Sequence, residues 1–135
     1  MLPSGLPDNI ADEESLARFL TQSSQYNAVM AKPAAFLPSP KDRATSVSRH
    51  GCEPLDRLWE LGLLAAGTRT LHGAAIFPVR AVRVATLNVV ADEPPLFHAL
   101  IEGWPWFDSD PELQRAKQKE LALTIASAAG KPLLL

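Results

Sequence analysis

A single cysteine, Cys52, stands in a chain of 135 residues, so no disulfide can form within it. That scarcity fits a reducing compartment, and a cytoplasmic location is the expectation. No stretch approaches the roughly 18 consecutive apolar residues that a membrane span requires. The opening Met1-Leu-Pro-Ser-Gly-Leu-Pro-Asp8 also lacks the basic and apolar regions of a signal peptide, so no membrane partner is expected. Equally absent are a glycine-rich phosphate loop, a CxxC pair, an HExxH helix, a nucleophile elbow and a dinucleotide fingerprint. These absences weigh against the common enzyme classes, and the sequence requires neither cofactor nor metal. The net charge of −2 is too small for the whole molecule to steer nucleic acid or an anionic membrane.

The placement of charge says more than its sum. Residues 32–83 carry eight Lys or Arg against four Asp or Glu, whereas positions 92–112 hold six acids and no base. A basic middle and an acidic flank follow if folding keeps these segments apart.

The length suits one domain spanning 1–135, with 1–9 as an irregular lead-in and 131–135 as an apolar tail. Asp12, Glu13 and Glu14 suit the first turn of a helix, and Leu16, Phe19 and Leu20 recur at helical spacing, which predicts a helix from Asp12 to about Ser23. Short strands are expected at 26–31, 34–37 and 45–50. A second helix begins at Pro54, presents Leu55, Leu58, Trp59 and Gly62 on one face, and stops at Gly67. Beyond it the pattern predicts a strand over 70–77, a short helix from Pro78 to about Ala85, and strands over 86–91 and 97–102. Asp110 and Pro111 open a last helix, which runs to about Ala129. The expected fold is therefore α+β, with a mixed or antiparallel sheet of about four or five short strands packed by three main helices, the last one C-terminal and partly buried.

Three histidines form the best chemical constellation. His50 follows Arg49, and both His50 and His72 precede a glycine that admits close approach of a substrate or another backbone. His98 lies at the start of a predicted strand. Converging imidazoles would supply a general base and a general acid, with Arg49 or Arg69 holding a phosphate-like anion. The bland alternative is that each ring packs in a strand and bonds a carbonyl. The same atoms with Cys52 make a zinc-compatible Cys-His₃ set, but the spacing is one close pair and two remote singles. Cys52 alone, ahead of a helix, is a candidate nucleophile or a small buried hydrophobe.

Arg80 and Arg83 share one side of the short helix and are candidates for phosphate contacts to nucleic acid, although no aromatics interleave with them. Gly103-Trp-Pro-Trp-Phe107 carries three large aromatics in a proline-bearing loop with an acidic rim, and Leu133, Leu134 and Leu135 follow Pro132. Trp104, Trp106, Phe107 and the leucines therefore suggest a surface covered by a protein partner or a second copy of the chain. Three functions follow in order of preference. The first is a small binding or adaptor subunit of a larger assembly. The second is a histidine-dependent, metal-independent phosphodiester or nucleotide-processing enzyme. The third is a nucleic-acid-binding domain using the arginine-rich middle.

Overall fold

Ser15-Leu-Ala-Arg-Phe-Leu20 is apolar toward both sides of a sheet, and that makes it a strand. In the computed structural model, which describes residues 1–49 and 54–135, Ser15–Leu20 forms β1. Leu16 and Leu20 enter one core and Ala17 and Phe19 another. The helix expected over 12–23 is thus corrected. A strand covered on both faces shows no clean alternation, and its apolar positions at 16, 19 and 20 imitate helical spacing.

Thr45–Arg49 (β2), Gly73–Pro78 (β3), Asn88–Ala91 (β4), His98–Glu102 (β5) and Leu133–Leu134 (β6) complete the sheet. Its order is β4-β5-β2-β1-β3-β6, with every neighbouring pair antiparallel. Three α-helices occur among the described residues: Leu55–Ala66 (α1), Val79–Val84 (α2) and Pro111–Ala129 (α3). The fold is α+β with six strands where four or five were expected. Two strands, β1 and the tail, were not expected as strands; in the tail, Leu133 and Leu134 pair with Ala74 and Gly73. A Cβ on Gly73 would lie 2.2 Å from the Leu133 carbonyl oxygen, so this glycine admits a neighbouring backbone.

Two other expected strands are different structures. Tyr26 and Ala31 make a single bridge around Asn27, whose Oδ1 accepts from the Val29 and Met30 amides. Pro33–Phe36 is a 3₁₀ turn begun by the fixed φ of its proline. The second helix and the last one start and stop where their signals predicted. Asp110 accepts from the Leu113 amide as N-cap. On α1, however, Leu58, Leu61 and Gly62 are buried, while Leu55 is half exposed. No helix among the described residues is long and apolar enough to cross a membrane.

The main core lies between one sheet face and the layer formed by α2, α3 and Pro33–Phe36. Phe36 meets Phe77 edge-on there, with centroids 5.4 Å apart. Each fully buried side chain of this size contributes about 1.5–3 kcal/mol. On the other face, α1 covers β1 and β3 through Leu58, Leu61, Phe19 and Ala74. It does not extend over β2 and β5, where Ser46 is exposed and His98 and Leu100 are half-buried. The candidate site occupies that uncovered area.

The lead-in is bound at several points. Arg49, with no solvent exposure, donates from Nε to Glu14 Oε1 at 2.6 Å, from Nη2 to Glu14 Oε2 at 3.0 Å, and from Nη1 to the Pro7 carbonyl at 2.8 Å. Removing one member of such a pair leaves a desolvated charge. Arg49→Ala is expected to cost about 3–5 kcal/mol of stability, measured by urea denaturation; a loss below about 1 kcal/mol would show that the pair does not hold the lead-in in place.

Candidate functional site

The site begins where β1 and β2 part. Among the described residues they pair at Leu16↔Arg49 and Ala17↔Ser48. Beyond those residues β1 continues its ladder with β3, and β2 continues with β5. The side chain of Arg18 spans the opening, donating from Nε to the Ala35 carbonyl at 2.8 Å and from Nη1 to the Ser46 carbonyl at 2.9 Å. A cleft of about 830 Å³ opens here between the sheet and α1.

Its walls are chemically distinct. Leu61 and Leu64 of α1 give an aliphatic side, and Leu64 is largely exposed. Arg18, Arg57 and Arg69 bring positive charge, against Asp42 on the same lining. Arg69 donates to the Ala66 and Ala65 carbonyls at 3.1 and 3.0 Å, at the end of α1 where the helix dipole favours a cation. Arg57 pairs with Glu60 at 2.9 Å. Among the described residues, Arg18 and Arg69 bond main-chain oxygens and no carboxylate. Burial, and then the nearby charge of Arg69, lower the pKa of Arg18 to about 10. Its guanidinium is still charged at neutral pH, so below about pH 10 the fold carries the cost of holding it there. An anion between the two guanidiniums would offset the like-charge part of that cost.

The floor carries a row of polar side chains. His98 pairs in register with Ser48, and the Asp92 amide donates to the His98 carbonyl at 2.9 Å. His98 Nδ1 lies 3.0 Å from both the Asp92 carbonyl oxygen and Asp92 Oδ2. Ser48, only 6% exposed, lines the cleft, and its Oγ is buried without a hydrogen-bond partner among the described residues.

The histidines named from sequence do not all come together. His72 lies beyond the start of β3, with Nδ1 2.8 Å from the Tyr26 hydroxyl. The row through His98, Ser48, Ala17 and Ile76 puts His72 three strands across and four residues along. At about 4.8 Å per strand and 3.3 Å per residue the two rings are roughly 20 Å apart. They can share neither a reacting atom nor a metal ion. His50 and Cys52 lie outside the described residues. Arg49, expected beside a substrate anion, is enclosed with Glu14 on the opposite sheet face. Among the described residues no cluster of His, Cys, Asp and Glu is arranged to hold a metal.

The surface candidates are dispersed too. Trp104 is buried, donating from Nε1 to the Ile101 carbonyl at 3.1 Å. Trp106 is half-buried beneath the Arg43 guanidinium, 4.8 Å from the ring centroid, and Phe107 is 37% exposed. Leu133, Leu134 and Leu135 are 41%, 48% and 65% exposed. Arg80 pairs with Glu13 at 3.2 Å, and Arg83 pairs with Asp12 and donates to the Ile10 carbonyl.

Arg18, Ser48 and Asp92 were not singled out from the sequence. Arg18 had a signal: a charged residue inside an otherwise apolar strand needs a reason to be there. Reading that strand as a helix turned Arg18 toward solvent and hid the signal. Ser48 and Asp92 gain meaning only from cross-strand register. Protein-family models, curated proteins and solved structures give no match to the chain.

Proposed function

We propose that this domain binds a phosphate-bearing small molecule, of the nucleotide or phosphodiester class, in the cleft between α1 and β1, β2 and β5. The observation that carries this reading is the approach of Arg18 and Arg69 to one cleft, neither bonded to a carboxylate among the described residues. Guanidinium groups match phosphate oxygens in geometry as well as charge. The aliphatic wall at Leu61 and Leu64 suits the organic part of such a ligand.

Isothermal titration calorimetry with a nucleoside monophosphate tests the proposal. Arg69→Ala should weaken binding roughly ten- to hundredfold, the usual worth of a hydrogen bond to a charged group. Affinity should also fall as salt is raised. Equal affinity for the nucleotide and its uncharged nucleoside would refute the reading.

The leucines favour a second one, an adaptor that joins a larger assembly. β6 is one of the two outer strands of the sheet, and Leu133–Leu135 expose apolar surface there. Open edges recruit further strands. Trp106 and Phe107 offer a smaller exposed area, whereas the burial of Trp104 assigns it to the core. Light scattering at increasing concentration should show association that Leu134→Lys abolishes while the melting temperature stays within a few degrees. A strict monomer that captures no partner strand would remove this reading.

A further inference from the structure

Ser48 of β2 and His98 of β5 stand side by side on the face that floors the cleft, and Asp92, just after β4, stands beside His98. Both Asp92 atoms near His98 Nδ1 are acceptors, so Nδ1 carries the proton of the neutral ring. Nε2 is then the nitrogen with the lone pair. The next cross-strand bond, Arg49 amide to Phe97 carbonyl, spans 2.7 Å and leaves Ser48 and His98 as a non-hydrogen-bonded pair. Such pairs bring Cα atoms within about 4.5 Å, the closest approach that antiparallel partners make. Beside this base lies a buried hydroxyl without a partner among the described residues.

We propose that Ser48, His98 and Asp92 form a nucleophile–base–carboxylate relay acting on a phosphodiester held by Arg18 and Arg69, an inference that rests on the anion-binding reading of the cleft. The relay requires Ser48 to rotate about χ1 into a staggered well that brings Oγ out of its buried position to Nε2. Oγ forms a bond to phosphorus as the bond from phosphorus to the leaving oxygen breaks. The hydroxyl proton passes to Nε2 and then to the departing alkoxide. Water next attacks the serine-linked diester and gives a proton to Nε2, which returns it to Ser48 as the phosphomonoester leaves. One water is consumed, and the diester becomes a monoester and an alcohol. The guanidiniums take up charge building on the non-bridging oxygens. Asp92 fixes the ring tautomer and stabilises the imidazolium. Ser48 comes from β2, His98 from β5 and Asp92 from the residue just after β4, and so they spell no contiguous motif.

The test uses a small phosphonofluoridate, a reagent that forms a serine–phosphorus bond and expels fluoride. Wild-type protein should take one adduct, mapped to Ser48 by peptide mass spectrometry. Ser48→Ala should abolish it and keep the fold, because the change removes an unpaired hydroxyl. His98→Asn should slow labelling at least about a hundredfold, the usual scale of general base catalysis. Asp92→Asn should slow it as well and change its pH profile, a response that a purely structural Asp92 would not give. No adduct at Ser48, or a rate indifferent to His98 and Asp92, overturns the relay. Calorimetry with inorganic phosphate on the same wild-type sample separates the two readings. Protein that binds phosphate but takes no label keeps the anion cleft and loses the relay; protein that does neither loses both.

Discussion

The Arg49–Glu14 pair is the constraint on which the arrangement of the other parts depends. A fully enclosed guanidinium is tolerated only when its donors are occupied, and here Glu14 and the Pro7 carbonyl occupy them. The pair fixes β2 against the segment that precedes β1. The same segment bonds α2 through the Glu14 and Asp12 carbonyls, which accept from Val79 and Arg80. Farther back, Ser4 donates to both Glu93 oxygens at 2.9 and 2.6 Å, on the turn that leads to His98. The irregular lead-in is therefore a strap joining β2, α2 and that turn. Ser48 is the residue immediately before Arg49, so the ion pair on one face of β2 sets the direction of a hydroxyl on the other.

Charge interleaves through the fold. Arg80, Arg83 and Arg49 from the basic middle meet Glu13, Asp12 and Glu14 from the acidic start, and Arg43 reaches Asp108 at 3.6 Å. These pairs join segments distant in sequence and neutralise most of the asymmetry that a linear count suggests. Among the described residues, Arg18 and Arg69 are held by main-chain carbonyls and not by acids. Both line one cleft, in a molecule whose net charge is −2.

The parts legible in the sequence were those governed by local rules. Pro54 and Gly67 bracket α1, Asp110 caps α3, and β2, β4 and β5 lie within the stretches that alternate or favour β-branched residues. β1 was misread because its neighbours on both faces, unknown from sequence, decide its periodicity. The sequence of the tail calls for burial of its leucines, on their own domain or on a partner. Its backbone found that partner inside the chain, along β3, although its side chains did not become buried. The cleft followed the same division. Arg69 and His98 were candidates by residue type, while Arg18, Ser48 and Asp92 depended on a register that no local pattern encodes.

The strand order also determines how the chain can assemble. β4 and β5 are neighbours in sequence and in space across a short connection, with Val90 facing Leu100, whereas β1 and β2, also consecutive, are separated by residues 21–44. Elsewhere Leu16 faces Phe77, Val47 faces Ala99, and Gly73 faces Leu134. Loop closure must therefore be accomplished several times before the central strands reward it, which places this domain among slow-folding topologies. The β4–β5 hairpin is the natural nucleus, and it already carries Asp92 and His98. The outer edge of β3 stays bare until α3 has been made and β6 can follow. Throughout synthesis, that unpaired edge is where a nascent chain of this protein is most exposed to aggregation.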